Sequence, residues 1–163
     1  MTAFYLQEDL INELKKVFKG FKLKNPYGEE ADINIFSQNL PFINSDEEED
    51  PFPYIIVRIS EGIINDIESQ QEVTTQLIIG TYDDSKEANG HKDTLNIIQK
   101  IHERFFKNNV LANKYIMQTP FKWVLQEEDT NPYYFGGIEV SWETRTIEKE
   151  DRFAWVQIKK KAL

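Results

Sequence analysis

Helical and strand spacings of the hydrophobic residues predict seven elements along the chain. Apolar residues recur at helical spacing near the N-terminus and again over residues 90–107, so both stretches are predicted to be amphipathic helices. The first stripe consists of Leu10, Leu14, Val17 and Phe21, and the second of Leu95, Ile98, Ile101 and Phe105. Gly20 and Pro26 follow the first stripe and favour the end of that helix.

Five other segments alternate apolar and polar residues with the period of a β-strand. They are residues 31–37, 53–60, 72–82, 115–129 and 133–145. The alternation is cleanest in the last segment, where Ile138, Val140 and Trp142 share one face. Residues 61–71 and the turn around Asn131 and Pro132 lie between neighbouring strands and are predicted to be hairpin connections.

The predicted element order is α-β-β-β-α-β-β, with no internal repeat. Strands joined by hairpins form a mostly antiparallel sheet, and two amphipathic helices can cover only one of its faces. We therefore expect an α+β fold, with a mostly antiparallel sheet of about five strands and two helices packed on one face. Residues 1–151 are expected to form one domain, and residues 152–163 a C-terminal extension or arm.

This arrangement leaves one sheet face and one terminal segment without a predicted partner. No predicted helix covers the face that carries Tyr54, Ile56, Thr74, Gln76 and Ile78, or their alternates. The last segment adds four apolar residues beyond the predicted domain, namely Phe153, Trp155, Val156 and Ile158. It is either a final strand on its own sheet or an arm that packs on a neighbouring subunit. Open surfaces of this kind favour an oligomer.

Composition and charge narrow the function classes. The net charge of −9 argues against a protein that grips nucleic acid, which needs clustered Lys and Arg. The chain has no cysteine, which excludes disulfides, thiol catalysis and thiolate metal sites. No membrane-spanning run and no signal peptide are expected, so we expect an intracellular protein.

An unbroken acidic run also stands out: Asp46, Glu47, Glu48, Glu49 and Asp50. Adjacent carboxylates repel one another, so the run predicts a solvated loop, with a specific cation site as the alternative. We hypothesise that this loop and the apolar residues of the C-terminal segment supply contacts with partner proteins.

Residues 80–105 contain both histidines together with several carboxylates, which is the composition of a metal-dependent hydrolase site. The candidate ligands are Asp83, Asp84, His91 and Asp93. His91 and His102 are eleven residues apart on one predicted helix, about 16 Å between Cα atoms, too far to share one ion. An acid at a strand end or in the first turn of a helix also has a structural explanation. We therefore expect no enzyme, and no catalytic, metal or cofactor site, with the hydrolase as the alternative from another class.

Three stretches between residues 53 and 145 carry a resemblance to a known family. They are the strand end Gly80-Thr81-Tyr82-Asp83, the helix start Gly90-x-x-Asp93-x-Leu95, and Pro132-Tyr133-Tyr134-Phe135-Gly136-Gly137. The chain here resembles the tail terminator, or tail completion, proteins of long-tailed bacteriophages and prophage-derived tail particles. The first helix fits that family in position only, and the acidic loop and C-terminal segment have no counterpart in the resemblance.

The resemblance implies a structural virion protein, usually a homohexameric ring on the head-proximal end of the tail tube. Such a ring stops tube polymerisation and offers the surface that joins tail to head. The implied partners are further copies of the chain, the major tail tube protein, a head–tail connector or collar protein and, in a contractile particle, the sheath protein. DNA would pass through the ring without specific binding, and no membrane is implied.

A protein of this family would be assembled in the bacterial host cytoplasm and would end in a virion or a tail-like particle. A different neck or head-completion protein is the closest alternative, since such rings share size and charge.

Overall fold

The computed structural model describes residues 2–42 and 50–145. These residues form an α+β fold with two helices, a six-stranded sheet and a small two-stranded hairpin. The elements are α1 (Ala3–Val17), β1 (Lys22–Lys24), β2 (Glu30–Asp32), β3 (Asn34–Ser37), β4 (Tyr54–Ile64), β5 (Gln71–Tyr82), α2 (His91–Lys107), β6 (Val110–Leu111), β7 (Tyr115–Leu125) and β8 (Tyr133–Glu143).

The order of strands in the large sheet is β3-β4-β5-β8-β7-β6. All neighbouring pairs are antiparallel except β3 and β4, which run parallel. The last strand, β8, lies between β5 and β7 and pairs with β5 over its whole length, from Glu72–Glu143 to Tyr82–Tyr133. The sheet is therefore mostly antiparallel, as predicted, but its central pair joins strands that α2 separates in sequence.

The core lies between the two helices and one face of the sheet. On the sheet side it consists of the alternating residues Ile55, Val57, Val73, Leu77, Ile79, Ile138, Val140 and Trp142. On the helix side it consists of Leu6, Leu10, Leu14 and Phe18 from α1 and its end, and Ile97, Ile98, Ile101 and Phe105 from α2. Both helices thus pack on the same face, which confirms the predicted two-layer α+β fold.

Three local features differ from the predicted elements. Residues 31–37 contain the end of β2 and the whole of β3, and the buried Ile33 between the two strands belongs to neither ladder. β1 is a strand that the sequence patterns missed, and it pairs with β2 through a turn closed by the Asn25 side chain, which accepts from Tyr27 and Glu29 amides at 3.1 and 3.0 Å. β4 continues as far as Ile64, beyond the predicted end near Ser60.

Gly136 and Gly137 occupy opposite faces of β8, and no bulge interrupts the β5–β8 ladder there. A Cβ atom on Gly136 would lie 2.7 Å from Thr94 Cγ2 and 3.1 Å from the Val124 carbonyl oxygen. Gly136 therefore marks a close approach of α2 and β7 to the β8 backbone.

Candidate functional site: surfaces open to other proteins

Two of the carboxylates in residues 80–105 make local contacts. Asp83 Oδ1 accepts from the Ser85 amide at 2.8 Å, and Asp84 forms an ion pair with Lys24 at 2.6 Å. His91 is exposed at the start of α2. Within the described ranges 2–42 and 50–145, no group of three or more His, Asp or Glu side chains is placed to hold a metal ion. The hydrolase alternative gains no supporting geometry from this arrangement.

His102 lies where α2 meets the edge of the sheet. Its ring centroid is 4.3 Å from that of Phe106 and 5.5 Å from that of Phe121 on β7. The side chain is half-buried in this aromatic group. His102 is thus a packing residue at the helix–sheet boundary.

Asp93 lies in the first turn of α2 and is half-buried beside Asp83. Burial raises the pKa of the Asp93 carboxyl above its usual 3.8, and the nearby negative charge of Asp83 raises it further. A raised pKa in the folded state means that folding favours the protonated form. The favourable position at a helix N-terminus therefore does not compensate for burial next to a like charge.

Replacing Asp93 by asparagine should raise the melting temperature at pH 7, because the amide resembles the protonated carboxyl. The gain should shrink as the pH falls through the folded-state pKa of Asp93, since the native side chain then becomes neutral as well. Thermal unfolding of both proteins from pH 7 to pH 3.5 measures the effect. If the melting temperature at pH 7 falls on substitution, the direction assigned to this pKa is wrong. Asp84→Asn is the control: it removes the ion pair with Lys24 and should not raise the melting temperature of the protein.

An aromatic cluster covers one end of the sheet face opposite the helices. Its members are Phe52, Tyr54, Tyr82, Tyr133 and Phe135, and the Phe52 ring lies 4.8 Å from both Tyr54 and Tyr133. Gly80 gives these rings room, because a Cβ atom there would lie 2.5 Å from Tyr54. No helix of the described residues covers this face, as predicted, yet Tyr54 and Ile56 on it are only 5% and 4% exposed.

The rest of that face is open and forms a shallow groove of about 360 Å³. Gly137 forms its floor, and Ile78, Val124 and Phe135 are among its walls. At one side the Gln76 amide donates to Glu139 at 3.0 Å, next to the exposed Lys122. This mixture of apolar floor and polar border is typical of a surface that another protein segment covers.

A second open region lies along β7. Beyond Ile116, β7 has no strand partner on the side away from β8 within the described residues, since β6 pairs only with Tyr115 and Ile116. Trp123 and Val124 are half exposed on this free edge. An unpaired edge with exposed apolar side chains can pair with another chain.

The third open region is the β4–β5 hairpin, whose connection spans residues 65–70. Ile63, Ile64 and Ile67 are 50%, 60% and 85% exposed there. The sequence predicts a hairpin connection over residues 61–71 and by itself assigns no role to these isoleucines. The available signal was the presence of three isoleucines among polar residues.

Most of the sequence-predicted contact residues lie outside the described residues: Asp46, Glu47, Glu48, Glu49, Phe153, Trp155, Val156 and Ile158. Asp50 is described and half-buried. Its carboxylate accepts from the Phe52 amide at 3.0 Å, and its own amide donates to Tyr27 Oη at 3.4 Å. Asp50 thus helps to set the entry into β4, and its role in contacts with partner proteins stays a prediction.

Comparisons with known proteins inform the fold but not the activity. No family model matches the chain, and no curated protein matches it. Among solved structures, 28 chains match. One of them, which carries no functional name, has a TM-score of 0.52 and 12% sequence identity, covering 88% of this chain and 93% of its own length. At that identity the similarity shows a shared fold alone.

The helices themselves give one further finding. Neither α1 nor α2, the two helices of the described residues, combines the length and the apolar character that crossing a membrane requires.

Proposed function

We propose that this protein is a tail terminator of a bacteriophage or of a prophage-derived tail-like particle. It would form a homohexameric ring on the head-proximal end of the tail tube, where it stops tube polymerisation and provides the surface that joins tail to head. Its proposed partners are further copies of itself, the major tail tube protein and a head–tail connector or collar protein, with the sheath protein added in a contractile particle.

The observation that carries this proposal is that the three stretches resembling the family pack into one unit. Tyr82 pairs with Tyr133 and Gly80 with Phe135 in the β5–β8 ladder. The Asp83 amide donates to the Pro132 carbonyl at 2.9 Å. Gly90, which opens α2, lies so close to the Tyr134 ring that a Cβ atom there would overlap it. Stretches far apart in sequence thus build one end of the domain.

The open surfaces support assembly into an oligomer. The β4–β5 hairpin, the β7 edge and the groove over Gly137 each offer apolar side chains that no described residue covers. Contacts between copies of a chain use surfaces of this kind. The net charge of −9 also suits a ring through which DNA passes without being held.

Purified protein tests the proposal through its mass and its binding to tail tubes. Light scattering after size exclusion should give about six times the 19.2 kDa chain mass, and electron micrographs should show rings. Added to polymerising tail tube protein, the rings should bind tube ends and shorten the tubes. Binding to capsid portals but not to tubes would favour a different neck protein. A monomer that binds neither would contradict the proposal.

A chain truncated after Asp151 should bind tail tubes more weakly than the full chain, because it lacks Phe153, Trp155, Val156 and Ile158. The measurement is co-sedimentation with tubes, accompanied by thermal unfolding to show that the truncated domain is folded. A matched control replaces Lys159, Lys160 and Lys161 by serine, which leaves the apolar residues in place. Unchanged ring formation and tube binding after truncation would remove the C-terminal segment from the partner contacts.

A further inference from the structure

The β4–β5 hairpin extends beyond the strands that flank it. On one side β3 pairs with β4 only as far as Val57, and Gln38 adds a hydrogen bond to Ile59. On the other side β8 ends opposite Glu72, with one more hydrogen bond from the Thr144 amide to Gln71. The last residues of β4 therefore pair only with β5, and within the described residues no strand outside the hairpin flanks them or the connection 65–70. We call residues 60–72 the hairpin tip.

The hairpin tip is acidic as well as apolar. It carries four carboxylates, Glu61, Asp66, Glu68 and Glu72, all exposed. No Lys or Arg occurs from Ile59 through Ser85. Its exposed isoleucines thus lie within a negatively charged patch. A complementary surface must therefore be basic and must offer apolar contacts.

The end of α1 and the strand that follows it form such a surface. Residues 14–24 contain five lysines and no acid. Lys22 and Lys24 lie opposite Asp32 and Glu30 in the β1–β2 pair. The other three lysines, Lys15, Lys16 and Lys19, are exposed.

None of these three forms an ion pair within the part of the chain that the structure describes. We call Lys15, Lys16 and Lys19 the lysine surface. Two aromatic residues follow it closely in sequence. Phe21 is half-buried beneath the Lys100 ammonium group, which lies 5.1 Å from its ring centroid, and Tyr27 is largely exposed in the β1–β2 turn. The basic and apolar requirements set by the hairpin tip are therefore both met in this region.

The hairpin tip and the strand that follows the lysine surface lie at opposite ends of β5. The hairpin tip is at the Gln71 end of β5, whereas Lys24, which follows the lysine surface, binds Asp84 just beyond the Tyr82 end. Twelve residues of extended strand separate these ends, roughly 35 Å at the rise of a β-strand. One copy cannot bring its own two surfaces together, but adjacent copies can.

We propose that the hairpin tip of one copy docks on the lysine surface of the next, and that this head-to-tail contact closes the ring. The inference rests on the proposed function, because it assigns the subunit contact of that ring. A contact between different surfaces of identical chains closes into a ring when the rotation between copies allows it. The carboxylates of the tip face the lysines, and its isoleucines pack towards Phe21 and Tyr27.

Charge reversal on each side, followed by mixing, tests the contact. The tip variant carries Glu61→Lys, Glu68→Lys and Glu72→Lys, and the lysine variant carries Lys15→Glu, Lys16→Glu and Lys19→Glu. Asp66 is left unchanged because its carboxylate accepts from the Glu68 amide at 2.9 Å. Each variant alone should be monomeric in light scattering, since like charges then meet. A one-to-one mixture should form rings again, with the two variants alternating.

The matched control reverses Glu127 and Glu128, two exposed acids in the β7–β8 connection, and should leave assembly unchanged. If circular dichroism shows that either triple variant is unfolded, the same mixing experiment is made with two single variants, Glu68→Lys and Lys19→Glu. Wild-type rings should also dissociate at about 1 M salt, where the Debye length falls to about 3 Å.

The outcomes separate this inference from the proposed function. Rings that persist in both triple variants, or a mixture that stays monomeric, would overturn the contact while rings on tail tubes would still support the tail terminator proposal. A wild-type chain that forms no ring under any condition would overturn both.

Discussion

Replacing Trp142 by alanine should lower the free energy of unfolding by about 3–5 kcal/mol, the usual cost of deleting a large buried aromatic side chain. Trp142 is fully buried, and its ring centroid lies 5.1 Å from that of Phe105 on α2. Its indole N–H donates to Thr75 Oγ1 at 3.0 Å, and that hydroxyl donates to the Val140 carbonyl at 3.0 Å. The substitution therefore leaves a cavity and removes a hydrogen bond at the same place.

Urea unfolding followed by circular dichroism measures this effect. Trp142→Phe retains most of the buried ring and should cost about 1 kcal/mol from the lost hydrogen bond, together with a smaller packing loss. Trp123→Ala is the matched control, because Trp123 is 50% exposed on the free edge of the same sheet. A loss at Trp142 no larger than that at Trp123 would contradict the core described for this protein.

The fold class followed from periodicity because the two helices and the long strands bury one regular face each. In β5 and β8 the alternate residues Val73, Leu77, Ile138 and Val140 are buried, as their spacing predicts. Such a pattern is local, so a sequence displays it without knowledge of the partners.

The pairing of the strands required information that no single segment contains. β8 pairs with β5, although α2 and β7 lie between them in sequence, and β3 joins the edge of the sheet in parallel with β4. The aromatic cluster on the outer face was missed for the same reason. Phe52 precedes its strand and folds over Tyr54 only because Gly80, 28 positions further along, leaves space for both rings.

The candidate site was predictable only in part. The exposed isoleucines of the hairpin tip interrupt a polar segment and were visible in the sequence, whereas their distance from the lysine surface depends on the length and direction of β5. Conversely, Asp84 and His91 were candidate metal ligands only because of their residue types. In the structure, Asp84 forms an ion pair with Lys24 and His91 is exposed on the surface.

Adjacent glycines in β8 should respond to alanine in opposite ways, with Gly136→Ala destabilising the protein by about 1–3 kcal/mol, as for other overpacked sites. The new methyl group would meet Thr94 Cγ2 at 2.7 Å, the Val124 carbonyl oxygen at 3.1 Å and Leu125 Cδ2 at 3.3 Å. Thr94 cannot move freely, because it is fully buried and its hydroxyl lies 2.8 Å from that of Thr81. Relief would require α2 or β7 to shift away from β8.

Gly137→Ala is the matched control, since its methyl group would face the groove and meet only ordinary contacts at 3.5 Å from the Leu77 carbonyl oxygen and 3.8 Å from Val124 Cγ2. Alanine also loses less backbone freedom than glycine on folding, so this variant should be neutral or more stable by up to about 1 kcal/mol. Thermal and urea unfolding should therefore show a loss of stability for Gly136→Ala and none for Gly137→Ala. Equal losses of stability at both positions would show that β8 tolerates no side chain at either position. The close approach of α2 would then not be the reason that residue 136 is a glycine.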